Sequence, residues 1–122
     1  MKRLMMISAL LVLMLSGVAL GQNILKGDFS ADINAEGWSL GSGSGPRSHI
    51  IFVTFEKPFD TAPTIVLTLS GYDASTGKDG TVRVSVKAEK VSRDGFVIKV
   101  QTWADSRVGA VYGSWMAWAS GK

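Results

Sequence analysis

The sequence has no cysteine, one histidine and three prolines in 122 residues. Without cysteine there is no disulfide framework, no iron–sulfur cluster, no thiolate zinc site and no cysteine nucleophile. The single histidine, His49, excludes a multi-histidine metal site and any mechanism that needs two imidazoles. It lies inside an apolar, β-branched stretch, which reads as a partly buried, hydrogen-bonded side chain rather than a catalytic base. No nucleophile elbow, P-loop or HExxH sequence is present. Gly41–Gly45 is glycine-rich, but no Lys-Ser/Thr follows it, so it is not a phosphate cradle. The longest apolar run, Leu4–Leu15, has 12 residues, short of the roughly 20 that a spanning helix needs.

That run belongs to a secretory signal pattern. Lys2 and Arg3 form a basic start, Leu4–Leu15 an apolar centre, and Ser16-Gly17 breaks it before the small residues Ala19 and Gly21. The expected division is a signal peptide over 1–21, an N-terminal segment of little regular structure over 22–37, and a folded domain over 38–122. Cleavage after Gly21 leaves 101 residues and removes Lys2 and Arg3, so the net charge falls from +3 to +1. A nearly neutral chain has no electrostatic footprint for nucleic acid, and no membrane span is expected once the signal is gone. No cysteine follows the apolar run, which excludes a lipoprotein anchor. The predicted location is secreted, or periplasmic or at the cell surface in a bacterium.

The stretch from Gln22 to Gly45 is rich in Gly, Ser, Asp and Asn and carries one large anchor, Trp38. From Arg47 onward the pattern is β. Ser48–Phe55 is β-branched and aromatic. Thr64–Ser70 alternates Ile65, Leu67, Leu69 against Val66, Thr68, Ser70. Thr81–Ala88 faces Val82, Val84, Val86 and Ala88 inward and Arg83, Ser85 and Lys87 outward. Arg93-Asp94-Gly95 is a tight-turn sequence whose Asp-Gly tolerates positive φ. Phe96–Trp103 turns Phe96, Ile98 and Val100 inward, with Val97, Lys99, Gln101 and Trp103 opposite. Val108–Ala119 is a last long strand, with Trp115 on its core face beside Val111, Gly113 and Ala117. Five or six short strands separated by turns read as an antiparallel β-sandwich or barrel. A domain of this size without disulfides has a small core, so oligomerisation is an expected source of stability. Outward Val97, Val66 and Tyr112 are candidates for subunit contact.

For chemistry, paired carboxylates would be needed to hydrolyse a glycoside, and Asp73, Asp79 and Asp105 fall in turn sequences with no such pairing. The reading is therefore not an enzyme but a binding surface. A sugar needs a planar apolar face and fixed donors and acceptors. Trp103 ends a strand on its outward face, beside the loop Ala104–Arg107, and Arg83 is outward on the preceding strand with a rigid donor fork. The residues alone leave a second possibility open: Arg83 pairs with Asp105 or Glu89, and Trp103 packs at an oligomer contact.

Val53–Asp73 (VTFEKPFDTAPTIVLTLSGYD), Val82–Val108 (VRVSVKAEKVSRDGFVIKVQTWADSRV) and Ser114–Ala119 (SWMAWA) together resemble the H-type lectin domain, the family of the snail agglutinins and the C-terminal domain of the discoidins. The resemblance covers roughly Trp38 to Ala119. It implies a six-stranded antiparallel β-sandwich assembled as a homotrimer, sometimes paired into hexamers. It also implies binding of galactose- or N-acetylgalactosamine-type glycans at clefts between subunits, in adhesion or agglutination, with no metal or cofactor. The family's sugar-contacting Arg and Trp fall on Arg83 and Trp103. Its frequent His falls on Ala104, its Tyr on Gly109, and its acidic loop on Ser42–Gly45, which has no Asp. Asp105 is the expected replacement acceptor and Tyr112 the expected replacement ring. The alternative is a structural or oligomerisation module that has lost sugar binding.

Overall fold

A computed structural model describes residues 24–120. The signal-peptide expectation for 1–21 lies outside the described residues. Six strands run in chain order: β1 Ile24–Asp32, β2 Arg47–Thr54, β3 Thr64–Ser75, β4 Ser85–Glu89, β5 Gly95–Thr102 and β6 Arg107–Trp118. They form two three-stranded antiparallel sheets, one ordered β1-β6-β3 and the other β2-β5-β4. The described residues contain no helix, and none long and apolar enough to cross a membrane. The antiparallel β-sandwich expected from the alternating strands is the observed architecture.

The core lies between the sheets. Phe96, Ile98 and Val100 of β5 are buried, as their spacing predicts. They meet Val108, Val111 and Ala117 of β6. Trp115 packs edge-on to Phe96, with ring centroids 5.6 Å apart, and beside Phe55 at 5.9 Å. Phe55 and Phe59 meet at right angles, which accounts for the two phenylalanines flanking the Lys57-Pro58 turn. Edge contacts of this kind suit the ring quadrupoles.

Three local features depart from the sequence reading. The first is β1, which lies within the 22–37 segment. Its inward row is Leu25, Gly27, Phe29 and Ala31, paired along β6. Gly27 breaks the apolar alternation because a Cβ there would stand 2.8 Å from the Trp115 indole. The glycine makes room for a ring that the local sequence does not mention.

The second is beside the Gly/Ser stretch, a loop between strands as its composition allows, where the sequence marks only Trp38 as an anchor. Leu40 is fully buried, and burying such a side chain contributes about 2 kcal/mol. Val108 N–H donates to the Leu40 carbonyl at 2.8 Å, and the Trp38 indole N–H donates to the Val108 carbonyl at 3.0 Å. Gly43 and Gly45 then turn the chain with φ of 79° and 77°, a region that β-carbons disfavour.

The third is β4, which begins only at Ser85 rather than Thr81. The stretch before it leaves the ladder and is held by side chains instead. At the other end of β4, the left-handed residue of the β4–β5 turn is Lys90, φ 53°, not the Asp-Gly pair.

The three residues proposed for subunit contact do not share a face. Val66 and Tyr112 are exposed on the outer face of the β1-β6-β3 sheet. Val97 is on the other sheet, between Phe52 and Glu89, and only 8% exposed.

Candidate functional site

Two buried hydroxyls organise one end of the β2-β5-β4 sheet. Thr102 and Ser106 are 1% and 0% exposed. They flank the loop Trp103-Ala104-Asp105. Thr102 Oγ1 donates to the Arg83 carbonyl at 2.6 Å. Ser106 Oγ accepts from the Arg83 N–H at 3.0 Å and donates to the Thr81 carbonyl at 2.9 Å. These bonds replace strand pairing where β4 has ended, so the buried hydroxyls and peptide groups satisfy one another. The result fastens the backbone of Arg83 to both ends of the Trp103–Asp105 loop.

Within that loop, Trp103 follows the last residue of β5 and is 42% exposed. The inward row of β5 ends at Thr102, so Trp103 points outward, as read from the alternation. Ala104 has φ 57°, an uncommon conformation for a residue with a β-carbon. Its carbonyl accepts from Gly45 N–H at 2.8 Å and from Arg47 Nη2 at 2.9 Å. Arg47 spends the rest of its guanidinium on the carbonyls of Gly45, Ser42 and Ser106. One arginine thus ties the glycine loop to the tryptophan loop.

Asp105 faces a third loop. Its Oδ2 accepts from Lys78 N–H at 2.8 Å. Gly77 lies so close to the Asp105 carboxylate that a β-carbon would collide with it. The turn closes with Gly80 N–H on the Gly77 carbonyl at 2.9 Å and Gly80 at φ 76°. Asp79, on this turn, is the partner of Arg83. Nη2 meets Oδ2 at 2.6 Å and Nη1 meets Oδ1 at 3.4 Å. Asp79 Oδ1 also accepts from Thr81 N–H at 3.0 Å. The expected alternatives for Arg83 do not pair with it: Glu89 lies 3.8 Å from Lys87 instead, and Asp105 acts on Arg83 only through its field.

The Arg83 guanidinium, first through its hydrogen bond, lowers the Asp79 carboxyl from 3.8 to about 2. A carboxyl depressed in the folded state stabilises the fold above its unfolded pKa and loses that contribution as pH falls through the folded one. The wild type should therefore exceed Asp79→Asn in stability at pH 5, and the difference should shrink as pH falls from about 4 through about 2. Thermal melts of both proteins over that range check this; a constant difference would contradict it.

Of the four site residues expected from sequence, three come together: Arg83, Trp103 and Asp105. Tyr112 does not join them. It lies on β6, in the centre of the other sheet, and faces outward there. Its hydroxyl donates to Asp73 Oδ2 at 3.2 Å. That bond, with the nearby Asp73 and Asp32 charges, keeps the phenol protonated above its ordinary range. It lines an open groove of about 340 Å³ with Asp28, Ser30 and Ser70. Sequence reading missed Asp79, Arg47, Thr102 and Ser106. Asp79 had a local signal, its four-residue spacing from Arg83 across a glycine turn; the others act through chain segments distant in sequence.

The site offers an exposed indole face, a guanidinium held by a carboxylate, and a second carboxylate alongside. It can present an apolar plane together with both donors and acceptors. Among the described residues, no three His, Asp or Glu side chains converge as a metal site would require.

The family model of the H-type lectin domain matches residues 50–118. The match spans more than half of the chain, which belongs to the H-type lectin domain family and has its β-sandwich lectin fold. Two solved structures of discoidin II from Dictyostelium discoideum superpose on it. The recombinant native form has a TM-score of 0.75 at 25% identity, covering 84% of this chain and 38% of its own. The wild-type form has a TM-score of 0.74 at 26% identity, covering 83% and 38%. The chain thus spans well under half the length of the discoidin II chains. A curated relative from Fuscovulum blasticum, "ATP synthase subunits region ORF 7", is 35% identical over 101 residues, covering 83% of this chain and 82% of the relative.

Proposed function

We propose that the protein is a secreted, non-enzymatic lectin that binds galactose- or N-acetylgalactosamine-type glycans and acts multivalently, as a trimer or paired trimers, in adhesion or agglutination. The observation that carries this reading is the fastening of Arg83 to the Trp103–Asp105 loop by Thr102 and Ser106. A sugar ring lies against the Trp103 indole while Arg83 donates to its hydroxyls and Asp105 accepts from them. The family's remaining contacts are changed at Ala104 and Gly109, so affinity per site is low and several sites act together. Phe52, 80% exposed beside Ile50 on the outer face of the β2-β5-β4 sheet, and Val66, Tyr112 and Met116 on that of the other sheet are the exposed apolar side chains that subunit contact would cover. The secretion part of the proposal rests on the signal pattern over 1–21.

One observation favours a second reading, an assembly module without sugar binding: the fork of Arg83 already holds Asp79. A glycan array with the wild type, Arg83→Ala and Trp103→Ala separates the two. The lectin reading expects a galactose-type signal that falls about tenfold or more in each variant, as loss of a charged hydrogen bond or a stacking plane would cause. A stable oligomer with no signal on any glycan, or variants that bind like the wild type, would overturn it.

A further inference from the structure

We infer that Asp79 sets the charge class of the ligand: by holding the fork of Arg83 it reserves the site for neutral, hydroxylated sugars and turns away sugars bearing a carboxylate or sulfate. The inference rests on reading Arg83, Trp103 and Asp105 as the sugar site.

Carboxylates and sulfates bind a guanidinium best through two parallel N–H···O bonds. In Arg83 the end-on pair is taken. Nη2 and Nη1 both face the Asp79 carboxylate, at 2.6 and 3.4 Å. Five N–H groups are available on a guanidinium, so Nε–H and the other N–H of each terminal nitrogen are left. Nε–H and the N–H beside it still form one side-on pair, but that pair belongs to a guanidinium whose charge Asp79 already offsets, so it serves the lone pairs of hydroxyl oxygens better than a second anion. An anion arriving at them also meets Asp79 and Asp105, and like charges brought together are strongly disfavoured.

Asp79 is fixed where it stands. Its Oδ1 accepts the Thr81 N–H at 3.0 Å, in a turn set by the left-handed Gly80. Arg83 is fixed from the backbone side by Ser106 and Thr102. The pair is therefore held by structure at both ends, unlike two long side chains meeting by chance at a surface. Lys78, Asp79, Arg83 and Asp105 carry two charges of each sign, and Arg47 adds one positive charge whose N–H groups are engaged by four carbonyls. The two carboxylates thus offset all but one of the positive charges beside the loop. Replacing Asp79 alone raises the positive excess and frees the fork. The carboxylates, by contrast, favour a neutral polyol, because their free lone pairs accept its hydroxyl protons.

The test compares a neutral galactose-terminated oligosaccharide with the same oligosaccharide carrying a terminal sialic acid. Binding is measured by calorimetry for the wild type, Asp79→Asn and Asp79→Asn with Arg83→Ala. Asparagine keeps the oxygen that accepts from Thr81 N–H, and Asp79→Ser serves as a second variant if the first does not fold. The wild type should bind the sialylated sugar about tenfold or more weaker than the neutral one. Asp79→Asn should close that gap, with binding that weakens as salt rises, and the added Arg83→Ala should abolish the gain. Equal binding of both sugars by the wild type, or an unchanged ratio in Asp79→Asn, overturns the inference and leaves the lectin reading standing. If the wild type binds no glycan but Asp79→Asn captures the sialylated one through Arg83, the lectin reading falls and the charge role of Asp79 holds. If no variant binds either sugar, both fall.

Discussion

Replacing Arg47 with alanine is expected to lower the stability of the whole domain and remove glycan binding together. The first residue of β2 makes four hydrogen bonds, all to carbonyls. Nε reaches Gly45 at 2.8 Å, Nη1 reaches Ser42 at 2.7 Å, and Nη2 reaches Ala104 and Ser106, each at 2.9 Å. Two targets lie in the glycine loop and two in the loop that carries Trp103 and Asp105. Alanine leaves part-buried carbonyls without donors. Hydrogen bonds to a charged donor contribute most among neutral and charged pairs, and the expected loss is about 2–3 kcal/mol. In a domain of this size that is roughly 10–15 °C in Tm. Ala104 would also lose a bond that holds its left-handed conformation, so the loop would relax and Trp103 would leave its position. Lysine should rescue little, because one ammonium cannot reproduce a planar fork aimed at several acceptors. Thermal unfolding followed by circular dichroism checks the stability, and calorimetry checks the binding. An Arg47→Ala protein that melts like the wild type would show that the clamp is not needed.

The second large effect is expected at Gly113→Ala. Gly113 stands in the middle of β6, opposite Phe29 of β1 and Leu69 of β3. A β-carbon there would fall on the Thr68 carbonyl and into the Phe29 ring. A flexible side-chain tip can move aside, but a backbone carbonyl in a ladder cannot. Overpacking of this kind costs about 3 kcal/mol, and here it strikes the strand that both neighbours of the sheet depend on. Gly71→Ala is the control. Its β-carbon would stand 3.5 Å from the Tyr112 ring, an ordinary contact, and its melt should stay close to that of the wild type. Equal melting of the two variants would refute the packing explanation.

The outcome at β1 shows where sequence reading stops. Strands β2, β3, β5 and β6 announce themselves by β-branched and aromatic alternation. In β1 the inward position 27 is a glycine, and its reason is Trp115, 88 residues later. No window on the local sequence contains that reason. At the site, the facing of Arg83 and Trp103 follows from strand alternation alone. Their fastening does not, because it depends on the hydroxyls of Thr102 and Ser106, which read as ordinary polar residues. Tyr112 illustrates a different limit. Alternation tells that it faces outward from its strand, but not which of two sheets that strand joins. β4 is shorter than its alternation predicts for a related reason: Thr81–Arg83 alternates like a strand while its peptide groups bond to side chains.

The strand order also fixes when the molecule can fold as it is synthesised. Both outer strands of one sheet, β1 and β3, bond only to β6, the last of the six described strands. Until Trp118 has been added, neither has its full row of partners. The other sheet waits likewise for β5. The β2-β5-β4 sheet can therefore close only once Thr102 is made and the β1-β6-β3 sheet only once Trp118 is made, and contacts so distant in sequence form slowly. During that interval the apolar rows of β1, β2 and β3 are without their neighbours, a state prone to association with other chains. A stop codon early in β6 would leave one sheet complete and strip β1 and β3 of the partner they share.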